Sequence, residues 1–182
     1  MQFIKTEIEG VYIIEPRVFE DERGYFFESY NKAQFEEAGL HYDFVQDNQS
    51  KSCYGTVRGL HFQKGEHAQA KLVRVLEGTV LDVAVDLRKG SATYGRHVAV
   101  ELSAENKRQL MIPRGFAHGF SVLSDTAVFA YKCDNLYCRE SEGGLRFDDP
   151  ALGIDWRIDV RRALTSEKDK QYPSFADFET CF

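Results

Sequence analysis

The sequence predicts a mainly β protein, a sandwich or closed barrel with a few short helices, on three observations. Short runs rich in β-branched and aromatic residues recur along most of the chain, over 11–14, 25–27, 72–76, 80–85, 97–102 and 127–131. The 72–76 and 80–85 runs alternate, with Arg74 between Val73 and Val75 and with Asp82 breaking the second run, as strands with one face in and one face out would. Glycines then punctuate the runs at Gly24, Gly55, Gly59, Gly78, Gly90, Gly95, Gly115 and Gly119, a density of turn signals typical of sandwiches and barrels.

From the N-terminus, Met1-Gln2-Phe3-Ile4-Lys5-Thr6-Glu7 lacks the basic region and apolar core of a signal peptide. No apolar run approaches the ~20 residues of a membrane helix, so a soluble, cytoplasmic protein is expected. After the first strand, Asn31 supplies an N-cap and Gln34 the capping-box position. Phe35 and Ala38 share a face, and Gly39 stops the helix. Gly59 and Gly119 fall inside strand runs, where glycine marks a bulge or a close backbone approach. A second helix is expected near Ser166, through Glu167-Lys168-Asp169-Lys170, ending before Pro173. The tail from about Asp148 is irregular and is expected to pack over the strands.

At 182 residues with 43% hydrophobic content, the chain suits one domain, 1–182, with its own core. No repeat or linker divides it. The net charge of −6 argues against a general nucleic-acid binder but leaves room for local cations that hold a phosphate. Cys53, Cys133, Cys138 and Cys181 show no CxxC spacing and read as free thiols.

Ionisable and polar groups gather in six stretches. In Asp21-Glu22-Arg23-Gly24-Tyr25-Phe26-Phe27-Glu28, charges flank aromatics, which by itself suits a solvated turn entering a strand. In Val45-Gln46-Asp47-Asn48-Gln49-Ser50, Gln46 and Asn48 share parity and face one side. In Val57-Arg58-Gly59-Leu60-His61-Phe62-Gln63, Arg58 is out of phase with His61 unless a bulge at Gly59 re-aims them. Lys71 opens an apolar strand, His118 sits among glycines and aromatics in Pro113-Arg114-Gly115-Phe116-Ala117-His118-Gly119-Phe120, and Tyr131 closes a strand. Taken singly, each is as ordinary as a strand-end lysine or a core tyrosine.

Together they form a pattern. Asp21-Glu22-Arg23-Gly24-Tyr25-Phe26-Phe27-Glu28-Ser29, Phe44-Val45-Gln46-Asp47-Asn48, Arg58-Gly59-Leu60-His61-Phe62-Gln63, Lys71-Leu72-Val73-Arg74, Leu102-Ser103-Ala104-Glu105-Asn106-Lys107 and the Pro113 to Phe120 stretch resemble the dTDP-4-dehydrorhamnose 3,5-epimerase family nearly end to end. The resemblance implies a cupin-type jelly-roll barrel, a homodimer, and a thymidine-diphosphate 4-keto-6-deoxy sugar as substrate.

Epimerisation beside a ketone needs a base, an acid across the ring and a stabiliser for the enolate oxygen. The resemblance implies His61 as base, Asp169 as its orienting partner, Tyr131 as acid and Lys71 as the oxyanion stabiliser, with His118 assisting. It implies Arg23, Arg58 and Lys168 for the diphosphate. Glu28, Gln46, Asp47, Asn48 and Glu142 are implied for nucleotide or sugar, and Phe26 and Tyr137 for stacking or lining. Metal-binding cupins present two histidines one residue apart, a glutamate and a third histidine. Here Gln63 replaces the second histidine and the cation Lys71 stands near the glutamate position, so neither metal nor cofactor is expected. The rivals are a single-site epimerase or ketoisomerase of the same superfamily, and a sugar-binding cupin without catalysis; Tyr131 favours epimerisation, and the full set of four reactive residues favours an enzyme.

Overall fold

The computed structural model describes residues 1–182. In chain order its strands are β1 (Gln2–Lys5), β2 (Tyr12–Glu15), β3 (Phe19–Asp21), β4 (Gly24–Phe26), β5 (Gln46–Cys53), β6 (Val57–Gln63), β7 (Lys71–Glu77), β8 (Thr79–Asp86), β9 (His97–Ser103), β10 (Gln109–Ile112), β11 (Phe116–Val122), β12 (Thr126–Cys133) and β13 (Glu142–Gly144). One α-helix, α1 (Lys32–Glu37), intervenes. A six-stranded sheet runs β1-β2-β10-β7-β12-β5, and a five-stranded sheet runs β13-β6-β11-β8-β9. β3 and β4 form a separate hairpin.

The two large sheets face each other across one apolar core. Val73, Val75, Leu110, Ala127 and Phe129 come from the first, and Val80, Ala84, Val100, Phe116 and Phe120 from the second. Phe120 and Phe129 stack across the gap at 4.2 Å. Alternation holds for β7, where Val73 and Val75 enter this core while Leu72 packs on the outer side against α1.

Alternation does not hold for β8 as an in-and-out pattern, since every residue after Thr79 is buried. Leu81, Val83 and Val85 point to the outer face, but that face is covered by Leu145, Phe147, Leu152 and Trp156, with Phe175, Phe178 and Phe182 packed alongside. The irregular tail therefore does pack over the strands. Ser121 Oγ donates to the Trp156 carbonyl at 2.8 Å, and Trp156 Nε1 to the Phe147 carbonyl at 2.8 Å, which ties it down.

The first helix begins as read: Asn31 Oδ1 accepts from the Gln34 N–H at 3.3 Å, and Phe35 is its buried residue. The second expected helix is only a single 3-10 turn, Asp169–Gln171. Its four charged residues lack an apolar face to bury, and Pro173 lies too close for a longer helix to form. No helix is long and apolar enough to cross a membrane, and all four cysteines are free thiols.

Candidate active site

The bulge at Gly59 makes the site. On β11, His118 pairs with His61 and Phe120 with Arg58, so three steps on β6 match two on β11. The extra residue brings Arg58 and His61, opposite in parity, to one side of the sheet. Only glycines fit where the strands touch: a Cβ on Gly59 (φ +128°) would lie 2.5 Å from the Gly119 Cα, and one on Gly119 would lie 2.7 Å from the Arg58 carbonyl oxygen.

Between the two sheets lies a cavity of about 720 Å³, in the range of small-molecule sites. Arg58, His61 and His118 line it from the five-stranded sheet. Asn48, Lys71 and Tyr131 line it from the six-stranded sheet, and Lys168 and Asp169 from the tail. Eight of the residues implied by the family resemblance thus meet in one chamber, including all four given reactive roles.

His61 Nε2 lies 2.7 Å from Asp169 Oδ1. An ionised carboxylate only accepts, so this bond fixes the proton on Nε2 and leaves Nδ1 with the lone pair. Asp169 is 3% exposed. Burial opposes its ionisation, but the bonds and charge of His61, with Ser166 and the Gly59 N–H, outweigh that and hold its carboxyl below the usual range.

Lys71 opens β7 directly opposite Cys133 on β12. Its ammonium lies 5.9 Å from the centre of the Tyr131 ring. Burial pulls its pKa below that of an ordinary lysine, against the pull of Cys133, Asp82 and Glu142. Burial likewise raises the Tyr131 phenol, so it stays protonated at neutral pH.

In a second carboxylate–imidazole pair the histidine, His118, was expected at the site and the carboxylate, Asp82, was not. His118 Nε2 donates to both oxygens of Asp82, at 2.9 and 3.1 Å, and Asp82 is fully buried. The visible signal was a carboxylate interrupting an apolar strand, which is costly without a partner. Burial lowers the His118 pKa, and Asp82 opposes the shift. Asp82→Asn is expected to lower kcat by about 10- to 100-fold, the worth of one charge-assisted hydrogen bond. With Asp82 neutral, Lys71 loses part of what holds its proton, so the alkaline limb of the pH–rate profile should move to lower pH. An unmoved limb with only a lower melting temperature would make Asp82 a packing residue.

Gln46, Tyr137 and Glu142 do not line the cavity but are bonded to one another and to Asn48 and Lys168, which do. Gln46 donates to Asn48 at 3.1 Å and accepts from the Tyr137 N–H at 2.9 Å; Tyr137 OH donates to Glu142 at 2.8 Å, and Glu142 also pairs with Lys168. Asp47 does not join them. Having the opposite parity on β5, it points outward and binds Lys132 at 3.0 Å. Arg23, Phe26 and Glu28 lie outside the cavity as well. Arg23 is paired to Asp21 at 2.6 Å, Phe26 is exposed on the β3–β4 hairpin, and Glu28 binds Asn31 and Gln34 at the start of α1. No three His, Cys, Asp or Glu side chains converge in a metal-holding group.

The family model described as dTDP-4-dehydrorhamnose 3,5-epimerase matches residues 5–177. The chain is 60% identical over 174 residues to the dTDP-4-dehydrorhamnose 3,5-epimerase of Salmonella typhimurium, covering 95% of this chain and 94% of the relative. Its structure is similar to that of the dTDP-4-dehydrorhamnose 3,5-epimerase from Elizabethkingia anophelis, with a TM-score of 0.93, 62% identity and 97% of each chain covered. It is also similar to the Legionella pneumophila dTDP-6-deoxy-D-glucose-3,5-epimerase in complex with dTDP-4-keto-L-rhamnose, with a TM-score of 0.93, 49% identity, and 98% and 94% of the two chains covered.

Proposed function

The chain belongs to the dTDP-4-dehydrorhamnose 3,5-epimerase family, and from that premise we infer that it converts dTDP-4-dehydro-6-deoxy-D-glucose to dTDP-4-dehydro-L-rhamnose. One observation carries the assignment of roles: His61 and Tyr131 stand on opposite sheets and line the same cavity. Facing sheets are about 10 Å apart, enough for one sugar ring between base and acid.

His61 Nδ1 takes the proton from the carbon beside the ketone, and the electron pair moves onto the ketone oxygen as an enolate. Asp169 stabilises the imidazolium that results. Lys71, with the His118–Asp82 pair beside it, stabilises the enolate oxygen. Tyr131 then gives its proton to the opposite face of the carbon. Solvent restores the proton to Tyr131 and removes the one on His61. Lys168 and Arg58 meet the diphosphate at the mouth, and Gln46, Asn48, Tyr137 and Glu142 hold the rest of the nucleotide. A soluble nucleotide sugar as substrate suits a cytoplasmic enzyme.

The active form is a homodimer. Phe19, Tyr25 and Phe26 are 51%, 59% and 67% exposed around Arg23 on the β3–β4 hairpin, an apolar face that a second copy would cover. Arg23 and Phe26 would then serve the partner's cavity. Mixing Arg23→Ala with His61→Ala protein tests this, since in a mixed dimer one site keeps both residues. Random pairing leaves about a quarter of the sites intact, so activity should recover to that level. No recovery would exclude Arg23 acting across an interface.

The function itself is tested with dTDP-4-dehydro-6-deoxy-D-glucose in D₂O, following C3 and C5 by proton NMR. Loss of both signals with inversion at both carbons is expected. Exchange at one carbon makes the protein a single-site epimerase, and binding without exchange makes it a nucleotide-sugar binder.

A further inference from the structure

The phenol oxygen of Tyr172 is the one buried side-chain polar atom without a hydrogen-bond partner. Such a group is costly to keep and calls for an explanation. Tyr172 directly follows the 3-10 turn that delivers Asp169. Its ring meets the His61 imidazole edge-on, with 5.8 Å between centroids and 65° between planes. Gly144 on β13 makes room for it: a Cβ there would lie 2.5 Å from the Tyr172 ring. The ring is thus wedged between β13 and the base.

Glu142, two residues before Gly144, lies near the phenol. Burial first, then the charges of Glu142, Asp169 and Tyr137 and a contact with Glu142 that falls short of hydrogen-bond geometry, push the Tyr172 pKa well above the usual phenol range. Glu142 is nevertheless engaged elsewhere, through Lys168 and the Tyr137 hydroxyl.

We propose that Tyr172 is a positioning residue for His61, whose hydroxyl bonds Glu142 once a bound diphosphate draws Lys168 away. The inference rests on the reading of Lys168 as a diphosphate ligand. In the free protein Lys168 occupies one Glu142 oxygen. A diphosphate, with more charge than a carboxylate, competes for that ammonium. Glu142, released from it, faces a hydroxyl that makes no hydrogen bond in the free protein. The new bond ties the Asp169 turn to β13, and β13 pairs with β6 at His61 through Gly144. Filling the diphosphate subsite therefore tightens the hold on the base, so binding energy from the unreactive end of the substrate serves orientation at the reacting carbon.

Tyr172→Phe keeps the ring and removes only the hydroxyl. Its melting temperature should equal or exceed that of the native protein, because the lost group was unpaired. Its kcat should fall roughly tenfold, the worth of one hydrogen bond to a charged group, with KM little changed. The His61 Nε2–H resonance should sharpen when dTDP is added to the native protein and fail to do so in Tyr172→Phe. Tyr172→Leu, which also removes the ring, should broaden that resonance without ligand. Native kcat and a native response to dTDP in Tyr172→Phe would overturn the proposal, as would a lower melting temperature with both unchanged. Lys168→Ala separates the two levels. If it binds dTDP as tightly as the native protein, the diphosphate reading fails and takes the coupling with it; if it binds weakly while Tyr172→Phe behaves as native, only the coupling fails.

Discussion

His61→Ala is expected to stop deuterium wash-in at both C3 and C5, slowing exchange by about 10²–10⁴-fold. The effect should be large because no other group in the cavity can replace it. His118 lies opposite His61 on the neighbouring strand, but Asp82 and burial hold it away from the base role. Folding should survive, since the His61 side chain is 31% exposed and lines a cavity instead of packing in the core. Asp169→Asn offers a graded companion. An amide can present its N–H to Nε2, which would shift the ring proton to Nδ1 and block the lone pair that takes the substrate proton. Exchange in His61→Ala within tenfold of the native rate, by NMR in D₂O, would place the base elsewhere.

Tyr131→Phe is expected to separate exchange from inversion. Without the phenol, proton removal by His61 and enolate stabilisation by Lys71 persist, while the opposite face has no donor. The imidazolium can then only return its proton to the face it came from. Product formation should fall by about 10²–10⁴-fold, while the recovered substrate carries deuterium with its configuration retained. Stability should change by less than about 1 kcal/mol, because Tyr131 lies at the edge of the cavity and Phe keeps the ring contact with Phe129 at 6.1 Å. Normal rates of inversion in Tyr131→Phe would remove it from the acid role.

The sequence was most legible where local rules decide structure. The strand runs, the Asn31 cap and the Gly59 bulge all follow from nearest neighbours, and the bulge was enough to foresee that Arg58 and His61 could share a face. The His61–Asp169 pairing spans 108 residues, and no spacing rule reaches that far; it came from resemblance. Asp82 was visible as a charge in an apolar strand, but its partner lay on a strand that only the fold brings near. β8 looked half-exposed because the sequence of a strand does not say that a distant tail will cover its outer face. Asp47 shows the converse. Its neighbours Gln46 and Asn48 turn toward the site, and the period of two in a strand turns Asp47 away.

The tail that shields the outer sheet also governs when the proposed base is aimed. Every strand of both large sheets except β13 is synthesised by Cys133, and with them His61, Lys71 and Tyr131. A nascent chain at that stage holds the proposed base and acid without the carboxylate bonded to the base. His61 is therefore aimed only once the segment bearing Asp169 has left the ribosome and seated itself beneath Gly59. Until then a partly made chain lacks the carboxylate that aims His61, and a protease cut between Trp156 and Asp169 would loosen that carboxylate's hold on the ring.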